Sequence, residues 1–253
     1  MNNLRSILTS FKIKDELNPK FWEKVGNSYI LTDKVRNRLL EIANDFIESL
    51  EVDVVISDIV MTGSLANYNW SDYSDVDIHL MVDYDQFNEK EKDLYDDLFY
   101  LKKSIYNKNH DITIYGYDVE VYIEDDSVIE KPKDIGIYSI LLNEWLVKPK
   151  KEDMEINYSR IQSKAKKWMK IIDGVIENTE DGDIESAKKL IKKYSDKLNK
   201  YRVCGLQKGG EYSDENLVFK VLRRNGYLEK IRSLKNKLID KKLSLKELKK
   251  LTN

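Results

Sequence analysis

The segment DVDIHLMVD, Asp75 to Asp83, alternates polar and apolar from Asp75 to Leu80 and then runs through the apolar Met81 and Val82 to Asp83. Asp75, Asp77 and His79 fall on one side of an extended chain, and Val76, Ile78 and Leu80 fall on the other. A period of two fits a strand with one face in a core, and a slip of one residue would send Val76, Ile78 and Leu80 to solvent. This stretch therefore commits the chain to a sheet whose apolar face is covered by other elements. The opposite face then carries two carboxylates at i and i+2, side by side, and their repulsion calls for a cation between them. A solvated acidic loop, the ordinary reading of such charges, does not explain the interleaved Val, Ile and Leu.

The flanking sequence supplies the rest of that sheet. Asp53 to Ser64, DVVISDIVMTGS, is rich in Val and Ile and ends at Gly63, as a strand running into a turn does. Before it, Thr32 stands where an N-cap would, ahead of Val35, Leu39, Ile42, Ala43, Phe46, Ile47 and Leu50 at helical spacing, with Asp33 in the first turn. After it, Gln86 to Tyr106 predicts an amphipathic helix on Leu94, Leu98, Leu101 and Ile105. His110 to Asp125 predicts a β-hairpin about Tyr115-Gly116-Tyr117, with His110 opening its first strand and Asp118, Glu120 and Tyr122 sharing a face of its second.

From Asn157 the period changes. Helices are expected over residues 157–178, 183–201, 214–225 and 227–240, with a short one opened by Ser244, and the breaks fall at DGD, Gly209-Gly210 and Asn225-Gly226. The fold class is α+β, with a mixed-sheet domain over residues 1–150 followed by a C-terminal helical bundle over 151–253. Tyr138, Trp145 and the apolar residues around them read as core between the two halves.

Composition excludes several classes. The 253 residues are 41% hydrophobic, enough for a real core. The single cysteine, Cys204, cannot close an internal disulfide, and the opening MNNLRSILTSFKIKDE lacks the apolar run of a secretory leader, so a reducing, cytoplasmic setting is expected. No segment approaches the roughly 18 apolar residues of a membrane span. The net charge of −2 conceals an asymmetry: Tyr201 to Asn253 carries 14 Lys and Arg against 6 Asp and Glu, while the first 200 residues carry a net −10. A basic segment on an acidic body suits either a solvated helical face or a phosphate-bearing partner such as RNA.

The acidic strand gains meaning from its context of strand, Gly63-Ser64, polar linker, then Asp75-Val76-Asp77. Paired carboxylates suit Mg²⁺, which takes its remaining ligands from water and substrate phosphates. A third carboxylate on a neighbouring strand would complete a two-metal site, a place open to Glu120 or to Asp118 on the same face. A glycine turn lets backbone N–H groups approach a polyphosphate, and Ser64 adds a hydroxyl. His79 reads as a structural histidine beside the dyad, and Asn67, Asn69, Trp70, Ser71, Asp72 and Ser74 as a hydrogen-bonded loop.

These residues resemble the DNA polymerase β-like nucleotidyltransferases, whose signature is Gly-Ser, a spacer, Asp-x-Asp and a later acidic residue. GSLANYNWSDYSDVDIHLMVD, GYDVEVYIED and GIYSILLNEWLVKP are similar to stretches of uncharacterised nucleotidyltransferases of bacteria and their phages, as is GGEYSDENLVFKVLRRNGYLEKI further on. The resemblance implies a polymerase β-like catalytic domain that transfers an NMP from an NTP, ATP among them, to an acceptor hydroxyl with release of pyrophosphate. It implies two Mg²⁺ ions, or Mn²⁺, on Asp75, Asp77 and Glu120. Gly63 and Ser64 would meet the triphosphate; a triphosphate in an acidic cleft also needs cations besides Mg²⁺, which Lys208, Lys220, Arg223 or Arg224 would supply, the alternative for these four being a solvated helical face. The acceptor expected first is RNA, a tRNA end among the candidates; a small molecule or a protein hydroxyl comes second, and a nucleotide-binding sensor is the non-enzymatic alternative.

Overall fold

The structure is a computed structural model that describes residues 2–128, 135–151, 156–180 and 184–244. It divides into two compact units, one of Ser10–Asp153 and the other of Met1–Thr9 with Met154–Asn253. Among the described residues no helix is long and apolar enough to cross a membrane.

The first unit is built on a mixed sheet of six strands: β3 (Ile56–Thr62), β4 (Val76–Val82), β5 (Thr113–Ile114), β6 (Tyr117–Asp125), β7 (Ile137–Ser139) and β8 (Glu144–Val147), in the order β5-β6-β4-β3-β7-β8. A separate hairpin pairs β1 (Trp22–Val25) with β2 (Ser28–Leu31). β4 and β6 run parallel and the other pairs antiparallel. Parallel neighbours need a long crossover, and helix α3 (Glu89–Asn109) provides it. The β5–β6 turn has Tyr115 at φ 52° and Gly116 at φ 85°, the double positive φ of a two-residue hairpin loop.

Helix α2 (Asp33–Leu50) buries Val35, Leu39, Ile42, Ala43, Phe46 and Leu50 against Ile78, Leu80, Val119 and Val121 of the sheet. That is the expected stripe on the expected strand face. Thr32 does hold the N-cap position, yet its hydroxyl makes no capping bond. The expected cap is instead found on α3, where Asn88 and Glu91 form a reciprocal capping box.

Helix α3 is present, but the face predicted for it is not the one it buries. Phe99 and Tyr106 go inward, whereas Leu94, Leu101 and Ile105 remain 66%, 56% and 56% exposed. Asn107 explains the choice. Its side-chain amide donates to the Val121 carbonyl and its carbonyl accepts from the Val121 N–H, each at 3.0 Å, which satisfies the outer edge of β6 and fixes the helix's rotation. His110 caps this helix, its ring against Tyr106, and does not open a strand.

β7 and β8 were expected only as core. Tyr138 is fully buried and Trp145 partly so, and both rings meet Trp22 at 5.0 and 4.7 Å, all within the sheet unit.

The second unit contains α1 (Asn2–Thr9), α4 (Tyr158–Glu180), α5 (Ile184–Gly209), α6 (Asp214–Arg224) and α7 (Tyr227–Leu243). α1 packs on α4 and α6, so the first residues of the chain belong with its last hundred. α5 runs to Gly209, eight residues beyond its expected end at 201. Gly205 permits a close approach to α6, since a Cβ there would stand 2.4 Å from the Cβ of Glu215. The expected helix after Ser244 falls on residues 245–253, outside the described residues.

Candidate functional site

At the end of β3 the chain turns at Gly63, with φ 77° and ψ −165°, a conformation that essentially only glycine adopts. The turn faces Asp77, because Thr62 pairs with Asp77 across the β3–β4 ladder. A Cβ at position 63 would lie 2.0 Å from Asp77 Oδ2. Gly63 is thus required twice, by its backbone angles and by the carboxylate seated against it.

The linker between Gly63 and β4 is stitched to the sheet. Ser64 to Ala66 form one 3₁₀ turn. The buried Asn67 donates to the Gly63 carbonyl at 2.6 Å and accepts from the Gly136 N–H at 2.9 Å, and the Trp22 indole donates to the Leu65 carbonyl at 2.7 Å. The Ser64 hydroxyl donates to the Ser74 hydroxyl at 2.7 Å, and that oxygen also accepts from the Ser71 N–H at 2.9 Å. The expectation of a hydrogen-bonded loop holds for Asn67, Ser71 and Ser74. Ser64, read as a phosphate donor, here closes that loop.

The parallel β4–β6 ladder sets Asp77 beside Glu120 and His79 beside Tyr122. Adjacent strands lie about 4.8 Å apart, so the two acids are immediate neighbours on the face opposite the core. Asp118 pairs outward with Thr113 of β5 and is exposed, so Glu120 and not Asp118 stands across from Asp77.

Around Glu120 a group forms that the sequence reading did not assemble. The Tyr122 hydroxyl donates to Glu120. Its ring stacks on His79 at 4.7 Å, and Lys103 Nζ stands 4.3 Å from the ring centre. His79 Nδ1 lies 3.3 Å from Glu124 Oε2. Burial pushes the Tyr122 phenol far above its usual range, and the hydrogen bond to Glu120 and the charges of Glu120, Asp77 and Asp75 push it further. All three carboxylates therefore act on one hydroxyl, which stays protonated and remains a donor. Lys103 reaches the ring because Asn107, one turn later on the same helix face, is clamped to β6.

Among the described residues no three His, Cys, Asp or Glu side chains stand in metal-holding geometry. What the fold supplies is the register of Asp77 with Glu120 and the glycine cradle under Asp77, two carboxylates of the kind a hard divalent cation takes. The donor chemistry fits Mg²⁺.

The four cations expected at the triphosphate all belong to the helical unit. Lys208 is exposed in the last turn of α5, and Arg223 and Arg224 end α6. Lys220 is engaged by Glu211 at 2.6 Å. Burial alone would raise the Glu211 carboxyl, but the charge and hydrogen bond of Lys220, with help from Asn216 and Arg202, bring it below the usual carboxylate range. Arg160 and Lys164 are likewise paired to Asp214, with Lys164 also on Glu215 at 3.2 Å. Compared with known proteins, the chain matches no family, no curated protein and no solved structure.

Proposed function

We propose that this chain is a metal-dependent nucleotidyltransferase with a polymerase β-like catalytic unit, moving an NMP from an NTP to an acceptor hydroxyl with loss of pyrophosphate. The observation that carries the reading is the in-register pair Asp77 and Glu120, on the solvent-facing side of a half-buried sheet, with Gly63 closed against the Asp77 carboxylate. Asp75, Asp77 and Glu120 are the residues that would hold Mg²⁺. When bound, the metal supplies charge neutralisation for the triphosphate and acidifies the acceptor hydroxyl.

The chain's own residues do the positioning. Gly63 keeps Asp77 in one orientation, and the Asn67 clamp keeps Gly63 in place. Tyr122 holds Glu120 by a hydrogen bond that needs no titration at working pH. Fixed carboxylates save the reorganisation a mobile site would require when charge develops at the transferring phosphoryl group. The acceptor we assign is RNA, on the strength of the basic stretch from Tyr201 onward and the exposed Lys208 and Arg223.

The deciding experiment incubates the protein and its Asp77→Ala variant with each α-labelled NTP, Mg²⁺, and total RNA, protein or small-molecule extract. Label entering RNA only with the unaltered protein supports the full reading. Label in the protein or small-molecule fraction keeps nucleotidyl transfer and overturns the RNA acceptor. No Asp77-dependent label in any fraction overturns the activity.

A further inference from the structure

We propose that the outer face of α3 is a homodimer seam, on which a second copy of this chain lays its own α3 antiparallel. Glu91, Leu94, Leu98, Leu101, Ile105 and Lys108 follow one another at intervals of three and four along the helix. That is the 3.5-residue repeat of a coiled-coil seam, with Leu and Ile at successive a and d positions. The unit's own core leaves this stripe unused. Phe99 and Tyr106 fill the inward face, while Leu94, Leu101 and Ile105 stay exposed and Leu98 is half-buried. Single exposed leucines need no explanation. Four apolar residues in a row at seam spacing form a contiguous patch of the kind that marks an interface.

The charges at the two ends select the occupant and its direction. Glu91 and Lys108 are both exposed and occupy the seam positions just beyond the apolar stretch. In an antiparallel pair each a residue meets a d residue of the other helix. The layers are then Glu91 with Lys108 of the second copy, Leu94 with its Ile105, and Leu98 with its Leu101, each repeated by the twofold axis. A parallel pair would oppose Glu91 to Glu91 and Lys108 to Lys108. The sequence is thus complementary to itself only when reversed. Both helices are already folded on their sheets, so association pays no helix-forming cost. The seam is short, about 25 Å from Glu91 to Lys108, which places the dimer in the small-interface class with a Kd on the order of 10–100 μM.

Sedimentation equilibrium of the full chain, across concentrations spanning that range, tests the seam. The unaltered protein is expected to pass from monomer to dimer. Leu101→Glu with Ile105→Glu should raise the Kd at least about a hundredfold, with an unchanged melting temperature because both side chains are exposed. Lys108→Glu alone should weaken the dimer roughly tenfold, as should Glu91→Lys, and the two together should restore it to within about threefold of the original. Lys108→Glu leaves the Asn88–Glu91 cap intact, and an unchanged melting temperature shows that the C-terminal turn has not frayed. A chain that stays monomeric throughout, a dimer indifferent to the Leu101 and Ile105 pair, or a double charge exchange that fails to restore association would each overturn the proposal.

Discussion

Replacing Gly63 by alanine separates two costs that the structure superimposes at one residue. The first is backbone strain: φ 77° with ψ −165° lies where an L-residue loses roughly 1–3 kcal/mol. The second is steric. The new Cβ would fall 2.0 Å from Asp77 Oδ2 and 3.0 Å from its Cγ, so the carboxylate must leave its rotamer, for about 1 kcal/mol more. The sum is roughly 2–4 kcal/mol, a drop of about 6–14 °C in the melting of a unit this size. Gly26→Ala and Gly116→Ala report the cost of a positive φ without a clash, because both glycines have positive φ and neither would meet an atom within 4 Å. Asp77→Ala isolates the second. In that background only the Asp77 Cβ remains, at 3.4 Å from the new methyl, an ordinary contact. Thermal melts of the single and double variants should therefore give a favourable coupling of roughly 1 kcal/mol between Gly63→Ala and Asp77→Ala. If Gly63→Ala costs no more than Gly116→Ala, or costs the same with and without Asp77, the cradle argument fails. Nucleotidyl transfer by Gly63→Ala should fall at least about a hundredfold, since a displaced carboxylate is a mispositioned one.

Asp77→Ala and Glu120→Ala should each abolish transfer with the fold retained on circular dichroism, whereas Asp118→Ala, exposed and paired outward, should keep most of it. Tyr122→Phe removes the donor to Glu120 and leaves the ring on His79; titration with Mn²⁺ followed by electron paramagnetic resonance should show about tenfold weaker binding, and unchanged binding would mean that the phenol only packs. Glu211 titrates below its usual range in the folded state, so its contribution is fully present above the unfolded pKa and is lost as pH falls through the folded one. Glu211→Gln should accordingly lower stability by about 1 kcal/mol at pH 7, and the gap from the unaltered protein, read in urea melts, should close between about pH 5 and pH 3. A gap that persists at the acid end would assign the effect to packing.

Much of the sheet unit was legible because its signals are local. Alternation from Asp75 to Leu80 defines β4 and its two faces, the stripe from Val35 to Leu50 defines α2, and Tyr115-Gly116 marks the hairpin turn. The side on which Asp77 and His79 fall was legible for the same reason, since neighbours at i and i+2 on a strand share a face whatever else the chain does. The α3 stripe misled because periodicity shows that a helix has an apolar face without showing that the core will use it. Phe99, Tyr106 and the edge-satisfying Asn107 offered more buried contact and two backbone hydrogen bonds, and the leucines were turned outward.

By itself, then, the sequence determined which segments are strands and helices, which side of β4 is acidic, and that the second half is helical. Those properties follow from side chains a few residues apart. Only the tertiary structure decided that Glu120 rather than Asp118 stands beside Asp77, that Gly63 closes on that carboxylate, that Tyr122 reaches Glu120 with Lys103 over its ring, and that α1 joins the last hundred residues. Each of these depends on the register between strands or the rotation of a helix on a sheet. Register and rotation are set by the combined packing and hydrogen bonding of residues far apart in the chain, and no local period encodes that sum.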